Sequence, residues 1–140
     1  MPAYLVHIAD EWFAGFPAWM GSVVGAPLPT TAYIVINGIA LLLLVIGIRA
    51  AVRSEEYGWV PIALATIALI NTLAHAVGAA LTRSYSPGLI SAAVLYVPLG
   101  GLVMIRAADQ SSPAQMSRGI PTGIAIHVLV FGVAFWSTRF

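Results

Sequence analysis

The sequence predicts an all-α membrane protein: a polytopic bundle of four transmembrane helices preceded by a short N-terminal membrane helix. Three observations carry that reading. Hydrophobic residues make up 60% of the 140 and charged residues only 8%, a balance outside the range of soluble domains. Four apolar runs reach about 20 residues, enough to cross a hydrocarbon core of roughly 30 Å as helices. None of them shows the ten-residue alternation of a membrane barrel, and an open sheet would leave backbone groups unpaired in lipid. At this length, residues 1–140 form one integral membrane domain.

From Pro2 to Gly15 a helix would rise only about 20 Å before the Gly15-Phe16-Pro17 break, which is too short to span. It is expected to be a half-membrane or interfacial helix, followed by a loop from Phe16 to Pro29 whose Trp19 and prolines suit the headgroup region. No basic n-region or cleavage site marks it as a signal peptide, so the segment is expected to belong to the mature fold. The spans run from Thr31 to Ala51, Trp59 to Thr82, Leu89 to Ile105 with its flanks, and Ile120 to Thr138. Turn-rich connections separate them: Arg53 to Gly58, Arg83 to Gly88, and Ala107 to Gly119 with Pro113 inside. Pro98 in the third span frees the carbonyl of Val94 and predicts a kink. If the spans alternate, Arg49, Arg53, Arg106 and Arg118 share one side while Arg83 and Arg139 share the other. The positive-inside rule then puts both termini outside, in the periplasm for a bacterial inner membrane.

Composition also excludes chemistry. There is no lysine for a Schiff base, and no cysteine for a disulfide, thiolate ligand or iron–sulfur cluster. A net charge of +1 with scattered arginines offers no basic patch for nucleic acid. Any metal must therefore sit on nitrogen and oxygen.

Those donors are present where they are costly to keep. His7, Asp10 and Glu11 fall on one wedge of the first helix, with His7 and Glu11 at i and i+4. Asn71 and His75 repeat the spacing in the second span, and His127, the third and last histidine, lies in the fourth. By rise per residue Asn37, His75 and His127 sit about 9, 10 and 16 Å in from the ends of their spans, on the side of the N-terminal segment. A single such residue is ordinarily helix-packing glue. Together they point to a site, because a buried ionisable group in lipid costs several kcal/mol unless paired or ligated. Gly78 and Ala79 leave room beside His75, and close helix packing is their simpler role. Glu55, Glu56 and Asp109 read as solvated turn residues.

His7-Ile8-Ala9-Asp10-Glu11-Trp12, followed by Asn71-Thr72-Leu73-Ala74-His75 and Tyr85-Ser86-Pro87-Gly88, resembles the HXXEE family of small bacterial integral membrane proteins. The resemblance covers most of the chain. It carries over His7, Glu11, Asn71, His75, Tyr85, Pro87 and Gly88, and this chain departs from it at Asp10, where glutamate is usual.

The leading functional reading is a metal-dependent membrane enzyme acting on a lipid or isoprenoid-like substrate by hydrolysis, isomerisation or oxidation. His7, Glu11, His75 and His127 would ligate a divalent zinc, iron or manganese ion; His7, Asp10, Glu11 and His75 would supply acid/base groups. Asn37, Asn71 and Tyr85 would support the site or contact the substrate. Two alternatives come from other classes: a b-type haem or electron carrier with His75 and His127 as axial ligands, and a small ion or proton translocator built as a homo-oligomer.

Overall fold

The computed structural model describes residues 1–140 and is helical throughout, without a strand. Six helices follow in order: α1 (Pro2–Phe13), α2 (Phe16–Val24), α3 (Thr30–Arg53), α4 (Trp59–Thr82), α5 (Leu89–Gln110) and α6 (Pro113–Ser137). A 3-10 turn, Glu55–Tyr57, joins α3 to α4. Helices α3 to α6 are each long and apolar enough to cross a membrane.

α4 is the axis of the bundle. It packs along α6 and α5 and also meets α3 and α2. Small residues allow the close approach: a Cβ at Gly119 of α6 would fall 2.6 Å from the Ile62 Cβ, and one at Gly123 would fall 2.6 Å from the Ala63 carbonyl oxygen. This is small-xxx-small packing, which in lipid replaces the hydrophobic drive that water would supply. In its most apolar stretch α4 buries 39% of residues, whereas α3 buries 6%. α3 is the outlying helix.

Two expected loops are helical instead. The stretch from Phe16 to Pro29 contains α2, because Pro17 sits in its first turn, where a missing N–H costs nothing, and Gly15 adopts φ +80 to start it. Met20, Leu28 and Tyr33 then form a buried cluster with Phe16, Trp19 and Ala134 packed against it. Likewise α6 begins at Pro113, not Ile120, so Ser111 and Ser112 are all that is left of the predicted Ala107–Gly119 connection. The start is set by a capping box: Ser112 Oγ accepts from the Gln115 N–H at 3.2 Å, and Gln115 Oε1 accepts from the Ser112 N–H at 3.0 Å.

The third span also runs further than expected, to Gln110, and it is not uniform. After one α-turn, Leu89–Ser91, it widens into a π-turn at Ala92–Tyr96 before continuing from Val97. The π-turn lies just ahead of Pro98, and the wider coil relieves the crowding that proline imposes on the preceding turn.

Candidate metal centre

α1 lies between the start of α3 and the start of α5, and its His7–Glu11 face turns inward. His7 is 2% exposed, Glu11 6% and His75 4%. Glu11 Oε1 stands 3.6 Å from His7 Nε2 and 3.3 Å from His75 Nε2, and ligand atoms of all three residues lie within 4.8 Å of one another. Helical spacing brings the first two together; His75 joins them from α4.

A hydroxyl holds the outer atom of each of these residues. Ser91 Oγ lies 3.0 Å from His7 Nδ1, Ser86 Oγ lies 3.0 Å from His75 Nδ1, and the single Tyr33 O–H is shared between Glu11 Oε2 at 3.1 Å and the Ile8 carbonyl at 2.8 Å. Such partners orient a ligand and select its tautomer. For His7 the choice follows from proton counting. Ser91 Oγ donates to the Gly88 carbonyl at 3.0 Å, so it must accept from His7 Nδ1–H, which leaves Nε2 as a bare lone pair. That lone pair has no hydrogen-bond partner and looks at a carboxylate oxygen. Two acceptors facing each other in a buried site call for a cation or a proton between them. Burial holds the His7 pKa below its ordinary value despite the opposing pull of Glu11, which disfavours an imidazolium at this position.

The spacing suits a small ion. Bonds of about 2.0 to 2.2 Å to a tetrahedral ion place its ligand atoms about 3.3 to 3.6 Å apart, which matches the two Glu11–histidine edges at 3.3 and 3.6 Å, while the third edge lies within 4.8 Å. Three protein donors would leave one position open. Gly88 closes the group from the α4–α5 turn: with φ +92, a Cβ there would fall 2.7 Å from Glu11 Cγ, 2.9 Å from His75 Cε1 and 3.0 Å from His7 Cε1. No side chain fits at that position.

The remaining predicted site residues stand outside the three-donor group. His127 is half-buried and is not part of the donor group, so a four-ligand set is not formed. Both nitrogens of His75, the other residue of the haem alternative, face protein groups, Ser86 and Glu11. Asp10 is not among the convergent donors either. Its Oδ2 accepts from the Ser91 N–H at 3.1 Å, and its Oδ1 lies 3.5 Å from the half-exposed Tyr85 hydroxyl. Asp10 thus caps the start of α5 and docks it on α1, and the Tyr85 hydroxyl approaches its other oxygen. Asn37 is tied into α3, with Nδ2 on the Tyr33 carbonyl at 3.1 Å and Oδ1 accepting from Tyr4 at 2.8 Å. Asn71 Oδ1 is buried without a hydrogen-bond partner. The space beside Gly78 is filled by protein, for a Cβ there would fall 2.5 Å from the Trp19 ring. Sequence reasoning missed Tyr33, Ser86 and Ser91; Ser86 lay within a stretch already singled out, in the turn between Tyr85 and Pro87.

A buried His/Glu group at one end of a helical membrane-type bundle thus defines the class. The chain belongs to the HXXEE family, described as proteins of unknown function with an HXXEE motif, whose match spans residues 1–103. That stretch includes His7, Glu11, His75, Ser86, Gly88 and Ser91 and stops short of His127. Comparison with curated proteins and with solved structures returns no match.

Proposed function

We propose that His7, Glu11 and His75 hold a divalent zinc, iron or manganese ion, and that the protein is a metal-dependent membrane enzyme acting on a lipid or isoprenoid-like substrate. The observation that carries the proposal is His7 Nε2, without a hydrogen-bond partner, facing Glu11 Oε1 within a buried three-donor group. A bound cation offsets the cost of burying the carboxylate. Oxygen and nitrogen donors without thiolate suit these three metals, and an open position gives such an ion Lewis acidity or an activated water to offer a substrate. An apolar substrate is in keeping with a site set among helices of membrane-spanning length.

Metal analysis of the purified protein tests this directly. One ion per chain is expected, falling to background in Glu11→Gln and in His75→Ala, with the double variant no worse than either, since partners in one site are not additive. Full metal content in both variants, or none in the wild type, would sink the metal reading. A His–carboxylate acid/base pair would then be the reading left to pursue.

The four-to-two arginine asymmetry supports placing both termini outside a bacterial inner membrane. A reporter active only in the cytoplasm should be silent when fused to the C-terminus; activity there would reverse the orientation.

A further inference from the structure

α1 and α3 are joined by side chains rather than by close helix packing. Tyr4 reaches Asn37 and Tyr33 reaches Ile8 and Glu11, so the two helices run antiparallel with a gap along their outer side. That gap is an apolar groove of about 450 Å³. Trp12 stacks on Tyr33 at a centroid distance of 5.8 Å at its upper end; Ile8, Ile34 and Leu41 continue it, and Gly38 leaves it open because nothing lies within 4 Å of where a Cβ would stand.

The direction of the groove identifies its occupant. Tyr33 is three residues into α3, about 5 Å below the helix start, and Leu41 is about 12 Å deeper, near the middle of a 30 Å core. A lipid of this leaflet lies the same way, with its polar end near the interface and its chain towards the centre. Polar groups follow the same order, since Asn37 has already committed its carbonyl oxygen to Tyr4 and one amide hydrogen to the Tyr33 carbonyl. Tyr33 stands between the groove and the donor group: its ring lines the groove while its hydroxyl bonds Glu11 Oε2.

We infer that the α1–α3 groove binds the acyl chain of a bilayer lipid, which enters sideways from the membrane and brings its polar end to the Trp12–Tyr33 end of the groove. That this polar end is the reacting end rests on the metal-enzyme reading; the binding of the chain does not. The substrate class is then an acyl lipid, recognised by its chain and converted near its headgroup junction.

The test uses the full chain reconstituted in phosphatidylethanolamine and phosphatidylglycerol vesicles doped with a diazirine-bearing fatty acid. After illumination, adducts are mapped by mass spectrometry and metal content is measured on the same sample. Adducts should concentrate on Leu5, Trp12, Ile34 and Leu41, and Gly38→Leu should remove most of them. Gly132→Leu, also in open space but on α6, should leave them in place. Both variants should keep wild-type metal content, which shows that the fold and the donor group survive. Adducts spread evenly over the outward faces of α3 and α6, as for ordinary boundary lipid, would overturn the inference, and so would groove adducts unchanged by Gly38→Leu. Groove labelling in a protein that carries no metal would uphold the acyl site while removing the metal reading.

Discussion

The two ends of the bundle treat the same kinds of residue in opposite ways. At one end Glu11 is buried and bonded by Tyr33 from another helix, with two imidazoles beside it. At the other, Glu55 and Glu56 are exposed and the polar contacts are mostly local: Ser54 with the Glu56 N–H, and Ser112 with Gln115. The one longer reach, Gln115 Nε2 to the Glu55 carbonyl at 3.3 Å, stays on the surface. A carboxylate in a turn keeps its water and costs nothing. One drawn under helices must be compensated by its neighbours, and the hydroxyls around the donor group are that compensation.

The sharpest way to break this contrast is to fill the space at Gly88. Gly88→Ala combines a left-handed backbone, worth about 1 to 2 kcal/mol against an alanine, with overpacking worth about 1 to 3. A loss of roughly 2 to 5 kcal/mol is expected, together with lost metal. Gly15→Ala is the matched comparison, since Gly15 also has φ +80 but no atom lies within 4 Å of its Cβ position. It should cost about 1 to 2 kcal/mol, the backbone share alone, and keep the metal. Denaturant titration of the two variants measures the difference, and equal losses would mean that the site is loosely packed.

Much of this end was legible in the sequence, and what was not has physical reasons. The i, i+4 spacing of His7 and Glu11 needs only a helix to become a shared face, and apolar run length identified the spans. Hydroxyls in membrane helices are poor signals, because they ordinarily bond back into their own helix. Thr66, Thr72 and Thr82 do so here, onto the carbonyls of Ile62, Ala68 and Gly78. Ser91 and Tyr33 look no different in sequence, and only the packing of α1 against α3 and α5 brings them to His7 and Glu11, while Ser86 reaches His75 from the turn between α4 and α5. Proline misled twice for one reason. Pro17 and Pro113 interrupt a pattern when read from the residues before them and open a helix when read from those after. Asp10 shares the wedge of His7 and Glu11 in α1, but its carboxylate turns to the Ser91 N–H at the start of α5.

Asp10 gives a second, smaller way to probe the difference. Removing a carboxylate that caps a helix start costs about 0.5 to 2 kcal/mol, so Asp10→Ala should lower stability by that amount. Its effect on the site runs through Ser91, whose N–H it accepts and whose Oγ orients His7. Loss of such an orienting contact weakens a metal site by 10- to 100-fold, so metal affinity should fall within about that range without stoichiometry being lost at saturation. Asp10→Glu, which brings in the residue usual in the family, should restore both. If Asp10→Ala abolished binding even at saturating metal, Asp10 would be acting as a ligand after all.

The smallest expected effect comes from the far end, and it decides whether the contrast concerns burial or merely charge. Glu55→Gln and Glu56→Gln remove the same functional group as Glu11→Gln, from side chains with neither a buried partner nor a cation to hold. Surface changes of this kind ordinarily stay within about 0.5 kcal/mol. Both variants should match the wild type in denaturant midpoint and in metal per chain, and the double variant should do the same, because neither position shares a partner with the other. Glu56 lies close to the Ser54 hydroxyl, yet that contact is made by its backbone N–H, which glutamine retains. A drop in metal content in either variant would show that the ion is held at least partly by the field of the whole protein. The three-residue donor group would then be an insufficient account of the site.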